Sequence, residues 1–127
     1  MNVGIIGIGL LGSAVAKRLI STGHQVSAYN RTRQKVESLK TLGIQVIDSP
    51  MELARKCEIV IIIVKDASVI NEIAFGKNGI IHGKHEGLVV ADMSTINPIA
   101  SRNIAKKFSV HGISIIDTPV MGGPNLA

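Results

Sequence analysis

The stretch from Val3 to Ala16, VGIIGIGLLGSAVA, constrains this chain more than any other. A short apolar run, Val3 to Ile6, leads into Gly7-Ile8-Gly9-Leu10-Leu11-Gly12. Leu11, Ala14, Val15 and Leu19 then recur at i, i+3, i+4 and i+8, one face of a helix. Strand, glycine turn and helix in that order predict a tight βα junction whose G-x-G-x-x-G turn cradles a pyrophosphate. In such a turn Gly7 makes the sharp bend, Gly9 lets the backbone approach the pyrophosphate, and Gly12 lets the helix pack closely on the strand. The helix N-terminus adds free amides and a partial positive charge. The same letters also resemble a secretory signal ending in the small-x-small Ala14-Val15-Ala16. That reading lacks a basic leading region, and cleavage after Ala16 would remove the first strand of an otherwise regular alternation.

The alternation continues through the chain. Gly23 reads as the C-cap of the first helix. Gln25 to Tyr29 reads as a strand, Gln34 to Leu42 as a helix stopped by Gly43, and Ile44 to Ile47 as a third strand. Ser49-Pro50-Met51-Glu52 is a capping box that opens a short helix, with Pro50 where no amide is needed. The apolar residues of Glu58 to Val64 do not alternate with polar ones, the pattern of a strand covered on both faces. A helix around Ala67 to Ala74 precedes a looser glycine-containing stretch. Leu88 to Asp92, Pro98 to Lys107 and Gly112 to Asp117 then read as strand, helix and strand. Strands alternating with helices require right-handed crossovers and a parallel sheet. The expected fold is α/β: a single doubly wound, Rossmann-type domain over residues 1–127 with strand order 3-2-1-4-5-6.

Composition narrows the function. With 127 residues, 46% of them hydrophobic, the chain has material for one core. Its longest apolar run after the N-terminus, Ile59 to Val64, is far shorter than the roughly 20 residues that span a bilayer, so no membrane partner is expected. Cys57 is the single cysteine and cannot form an intramolecular disulfide, which fits a packing residue in a reducing, cytoplasmic setting. A net charge of +5 implies anionic partners. The basic residues are dispersed, and two Phe, one Tyr and no Trp offer almost no stacking platform, which argues against nucleic acid and for a phosphorylated small molecule. His82 and His85 lie in a glycine-rich loop without further clustered ligands, so no metal is expected.

The end of the second strand carries the cofactor choice. An NAD site places an acidic residue about 20 positions beyond the glycines to take the ribose hydroxyls. This chain has Asn30-Arg31-Thr32-Arg33 there. Asn30 does not repel a 2′-phosphate, Arg31 can form a charge-assisted fork to it, and Thr32, Arg33 and Lys35 are close enough to assist. The expected cofactor is NADP.

The motifs Gly7 to Gly12, Asn30-Arg31-Thr32, Asp92-Met93-Ser94-Thr95-Ile96-Asn97-Pro98 and Asp117-Thr118-Pro119-Val120-Met121-Gly122-Gly123 stand in the order and spacing of the β-hydroxyacid dehydrogenases. The chain resembles that family, which includes 3-hydroxyisobutyrate dehydrogenase, tartronate semialdehyde reductase, glyoxylate/succinic semialdehyde reductases and, more distantly, 6-phosphogluconate dehydrogenase. The resemblance implies cofactor contacts at Thr95 and at Val64-Lys65, where many members have Leu-Pro. It also implies that the segment with Met121, Gly122 and Gly123 holds a substrate carboxylate, many members having Ser in place of Met121. Ser94 is a candidate substrate contact and equally a candidate helix cap or turn residue. Asp92 and Asp117 read as acceptors that fix loops. Val69 stands where members often carry Asn.

The family's all-helical domain, which carries its catalytic lysine and is the expected surface for a homo-oligomer, has no counterpart up to Ala127. No catalytic residue is therefore assigned. The expected function is the cofactor domain of an NADP-dependent oxidoreductase that moves a hydride between NADP(H) and a small β-hydroxy acid, semialdehyde or 2-keto acid. The alternative is a non-catalytic NADP-binding or assembly module.

Overall fold

A computed structural model describes residues 1–120. Six strands, β1 (Asn2–Ile6), β2 (Gln25–Tyr29), β3 (Gln45–Val46), β4 (Ile59–Ile62), β5 (Val89–Asp92) and β6 (Ser114–Asp117), form one sheet in the order β3-β2-β1-β4-β5-β6. Every pairing is parallel. Five helices make the crossovers: α1 (Leu10–Ser21), α2 (Arg33–Glu37), α3 (Pro50–Lys56), α4 (Ala67–Phe75) and α5 (Pro98–Val110). The predicted doubly wound fold and strand order are those observed.

The period of two along β4 explains its unbroken apolar run. Val60 and Ile62 point into a core shared with Leu53 and Ala54 of α3, Ile70, Ile73 and Ala74 of α4, and Ile104 and Phe108 of α5. Ile61 points the other way, into a core with Val3, Ile5, Ala16 of α1 and Val36 of α2. α3 comes very close to β1, since a methyl group on Gly4 would lie 2.8 Å from Leu53 Cγ. β1 is a central strand, bonded to β2 on one side and β4 on the other. Here the segment that resembled a signal is the middle of the fold.

Helix ends follow local chemistry. α1 stops in a Schellman motif in which Gly23, at φ +92, donates to Ile20 O (3.0 Å) and His24 N donates to Leu19 O (3.1 Å). Ser49 caps α3 as predicted, its side chain accepting from Glu52 N at 3.2 Å. Two further caps were not anticipated: Asp66 Oδ1 accepts from Val69 N (3.0 Å) at α4, and Asn97 Oδ1 from Ile99 N (2.7 Å) at α5.

The second crossover departs from expectation. The helix predicted over Gln34 to Leu42 is α2 followed by a 3₁₀ turn at Lys40–Leu42. Its buried anchors, Val36 and Leu39, are spaced by three, which suits the tighter winding, and Ser38 Oγ bonds back to Lys35 O. β3 is only two residues because it is an edge strand with one neighbour, while the flanking Ile44 and Ile47 are buried without belonging to it. The loose stretch after α4 contains a 3₁₀ turn, Ile80–Gly83, with Ile80 fully buried.

Phe108 is fully buried and its ring lies 4.9 Å from that of Phe75, joining α5 to α4. Phe108→Ala is expected to cost about 3–5 kcal/mol, read as a lower midpoint in urea denaturation with unchanged slope.

Candidate functional site

At the carboxyl ends of β1 and β4 three stretches of main chain converge. Gly7 has φ +102, and a Cβ there would run into the Ile63 carbonyl oxygen. A Cβ on Gly12 would strike the carbonyl oxygen of Gly7. These two positions need glycine to bring α1 down onto the turn. Gly9 differs, since a Cβ there would meet nothing within 4 Å: its free space opens toward solvent and suits the approach of a ligand.

α1 has no side-chain cap and no acid in its first turn. Its first internal bond runs from Ser13 N to Gly9 O (2.9 Å), so the amides of Leu10, Leu11 and Gly12 have no partner in the helix. Together with the helix dipole they make a seat for an anion. Asn30 braces it: Oδ1 accepts from Ile8 N (2.9 Å) and Nδ2 donates to Thr32 O (3.0 Å), tying the glycine turn to the end of β2. The Ile8 amide is thereby used, so Ile8 lines the site by packing.

A cleft of about 530 Å³ begins at this turn. Of the residues expected at the cofactor, the structure brings together Gly7 to Gly12, Asn30, Arg31, Lys35, Val64 and Lys65 along its walls. Arg31, Lys35 and Lys65 give it a positive rim. Tyr29, Val69, Glu72 and Ile73 also line it. None of the four was assigned to the cofactor, although Val69 stands at a position the resemblance marks and Val69, Glu72 and Ile73 fall at i, i+3 and i+4 on one face of α4.

Other expected residues lie elsewhere. Arg33 pairs with Glu37 (3.0 Å) and with Asp48, and those bonds, Asp48 first, hold its guanidinium pKa above the usual value. It lines a smaller neighbouring pocket with Tyr29, Asn30, Arg31 and Asp48. Thr32 sits at the N-cap of α2 without a side-chain bond, and Thr95 is exposed beyond β5, outside the cleft wall. Ser94, expected as a substrate contact, turns inward. It is 3% exposed, its Oγ accepts from Val64 N (2.9 Å), and its amide donates to Asp92 Oδ1 (2.9 Å), so it clamps the loop after β4 to the loop after β5. Met121, Gly122 and Gly123 lie outside the described residues.

Asp92 completes the clamp. Burial pushes its carboxyl pKa up, against the lowering effect of the Ser94 bonds, and its carbonyl accepts from Thr118 N at 2.8 Å. Burial likewise pushes the Cys57 thiol up to about 11, which suits packing rather than nucleophilic chemistry. His85 has Nε2 2.8 Å from Cys57 O and Nδ1 3.1 Å from Glu86 O, and these two carbonyls, Cys57 first, raise its pKa.

A glycine turn between a strand and a helix, open amides and a basic rim at the carboxyl end of a parallel sheet define a dinucleotide-binding domain. The family model described as the NAD binding domain of 6-phosphogluconate dehydrogenase matches residues 2–127, and the chain belongs to that family. It is 33% identical over 122 residues to probable 3-hydroxyisobutyrate dehydrogenase-like 3, mitochondrial, of Arabidopsis thaliana, covering 96% of this chain and 38% of that protein. It is also 33% identical over 122 residues to glyoxylate/succinic semialdehyde reductase 2, chloroplastic, of the same plant, covering 96% of this chain and 34% of that one. The structure of Psf3 in complex with NADP+ and 2-OPP superposes with a TM-score of 0.90 at 27% identity, covering 97% of this chain and 44% of Psf3. The chain therefore spans less than half the length of these relatives.

Gly9→Val is expected to abolish dinucleotide binding while leaving the thermal midpoint of the free protein nearly unchanged, because the added methyls occupy open space. Gly12→Val is expected to lower that midpoint, because its side chain meets backbone. Equal losses of stability in the two variants, measured by circular dichroism, would refute the separation.

The clamp makes its own prediction. Asp92→Ala leaves the Ser94 amide buried without an acceptor and is expected to cost about 1–3 kcal/mol. Asp92→Asn keeps an acceptor and removes a buried charge. Folding raises the Asp92 pKa, so the parent gains stability from this group as pH falls through the folded value. Asp92→Asn should lack that gain, read as a flatter denaturation midpoint across mildly acid pH.

Proposed function

We propose that this domain binds NADP(H) in preference to NAD(H), as the cofactor half of an oxidoreductase acting on a small β-hydroxy acid, semialdehyde or 2-keto acid. The observation that carries the cofactor choice is Arg31 on the cleft wall, following β2 where an acid would otherwise take the ribose hydroxyls. Lys35, on the same wall, adds positive charge. Arg33, bonded to Glu37 and Asp48, adds positive charge beside Arg31 and Lys35.

The residues present fit the cofactor. Gly9 leaves room for the pyrophosphate, the Leu10, Leu11 and Gly12 amides can donate to it, and Val69 and Ile73 offer an apolar wall beside Arg31 for an adenine ring. When bound, the nicotinamide supplies or accepts the hydride. The chain's own part is to hold and orient. Thr95 and Lys65, beyond the carboxyl ends of β5 and β4, stand toward the nicotinamide end, and the Met121-Gly122-Gly123 segment provides the substrate carboxylate contact. Reduction of a carbonyl also needs a proton donor and walls that exclude water. We assign those to a further, helical domain, through which homo-oligomers would also form. A reducing, cytoplasmic setting fits the free thiol of Cys57.

A charge-assisted contact contributes about 1.5–3 kcal/mol, and its lower end suits an exposed arginine, so the preference for NADP+ is expected to be on the order of 10-fold. Calorimetric titration of both cofactors reads it, and Arg31→Ala should bring the two affinities together. Equal affinities in the parent protein would overturn the NADP reading.

Activity divides the proposal from its alternative. The 127-residue chain should bind NADPH without oxidising it in the presence of glyoxylate, succinic semialdehyde or tartronate semialdehyde, while a protein continued through a helical domain should turn over. Turnover by the chain alone, lost on Lys65→Ala, would place the chemistry in this half. A continued protein that binds NADPH and never turns over would favour a non-catalytic module.

A further inference from the structure

The cleft wall carries one carboxylate, Glu72, and it faces Arg31: Arg31 Nη2 lies 2.9 Å from Glu72 Oε2. The partners come from opposite sides of the cleft, Arg31 from the loop after β2 and Glu72 from α4, 41 positions away. Glu72 shares its helix face with the apolar Val69 and Ile73, so its side chain is directed to the ligand side. With side chains 76% and 65% exposed, the pair is solvated and easily exchanged for a stronger anion.

We propose that Glu72 is a cofactor-specificity residue: its carboxylate holds the guanidinium that a ribose 2′-phosphate takes, and thereby narrows the preference for NADP over NAD. The inference rests on the dinucleotide reading above. A phosphate with charge between −1 and −2 displaces a single carboxylate from a guanidinium, and the freed carboxylate then stands within a Debye length of it. NADP+ therefore binds against both the loss of the ion pair and the repulsion that follows. NAD+ presents a neutral hydroxyl at the same place and leaves the pair intact. The penalty falls on one cofactor, which distinguishes a specificity residue from one that shapes the cleft for both.

The test is titration calorimetry of NADP+ and NAD+ against the parent protein and its Glu72→Gln, Glu72→Lys, Glu72→Asp and Arg31→Ala variants. Glu72→Gln is expected to bind NADP+ about 3- to 5-fold more tightly with NAD+ unchanged, and Glu72→Lys to widen the ratio further. Glu72→Asp, which keeps the charge, should stay near the parent ratio. If Glu72→Gln and Glu72→Lys both keep the parent ratio while Arg31→Ala collapses it, Glu72 has no part in selection and the inference fails with the NADP reading intact. If Arg31→Ala also leaves the ratio unchanged, the NADP reading fails and takes this inference with it.

Discussion

The structure depends on a contact between backbones. Gly12 in the first turn of α1 rests against the carbonyl of Gly7, and Gly7 in turn rests against the carbonyl of Ile63. Side chains at those positions would push α1 off the sheet and separate β1 from the loop after β4. With hydrogen in their place, the helix N-terminus points across the ends of the central strands, and its unpaired amides open onto the cleft. The anion seat is thus a by-product of close packing. Asn30 then locks it, because a single side chain bonds both the glycine turn and the loop after β2.

A second lock fixes the opposite wall. Val64, which lines the cleft, donates its amide to Ser94, and Ser94 is held by Asp92. The hydroxyl spans two loops after neighbouring strands and gives the Val64 amide its acceptor. Asp92 keeps its acceptor at the cost of burial, which is why its carboxyl titrates high. The wall on this side is consequently set by polar bonds and the floor by glycine contacts.

Much of this was legible in the sequence because it depends on short-range patterns. The unbroken apolar run from Ile59 to Val64, the helical face of α1, Gly23 and Ser49 each announce a local geometry, and together they establish the alternation of strands and helices. What was not legible depends on partners distant in sequence. Ser94 and Thr95 are adjacent polar residues in one motif, and nothing local says that the first turns inward to Val64, 30 positions earlier, while the second stays exposed. Arg31 and Arg33 look equivalent as letters. One reaches across to Glu72 of α4 and the other to Asp48. The 3₁₀ turn at Lys40–Leu42 was hidden for another reason: anchors spaced by three suit an α-helix and a 3₁₀ turn alike.

On the proposed reading, affinity and selectivity are built from different materials in this cleft. The pyrophosphate is common to both nicotinamide cofactors, and the groups suited to it are backbone amides in a junction where Gly7 and Gly12 tolerate no side chain, so they cannot be changed without disturbing the fold. The ribose 2′ position is all that distinguishes the two, and it would be met by Arg31, Lys35 and Glu72, all exposed and all replaceable at little cost to the core. Exposed charges are worth little singly and are screened by salt. Discrimination made this way is modest and adjustable, whereas the seat itself is fixed. A domain of this design would hold a dinucleotide by its architecture and choose between dinucleotides by its surface.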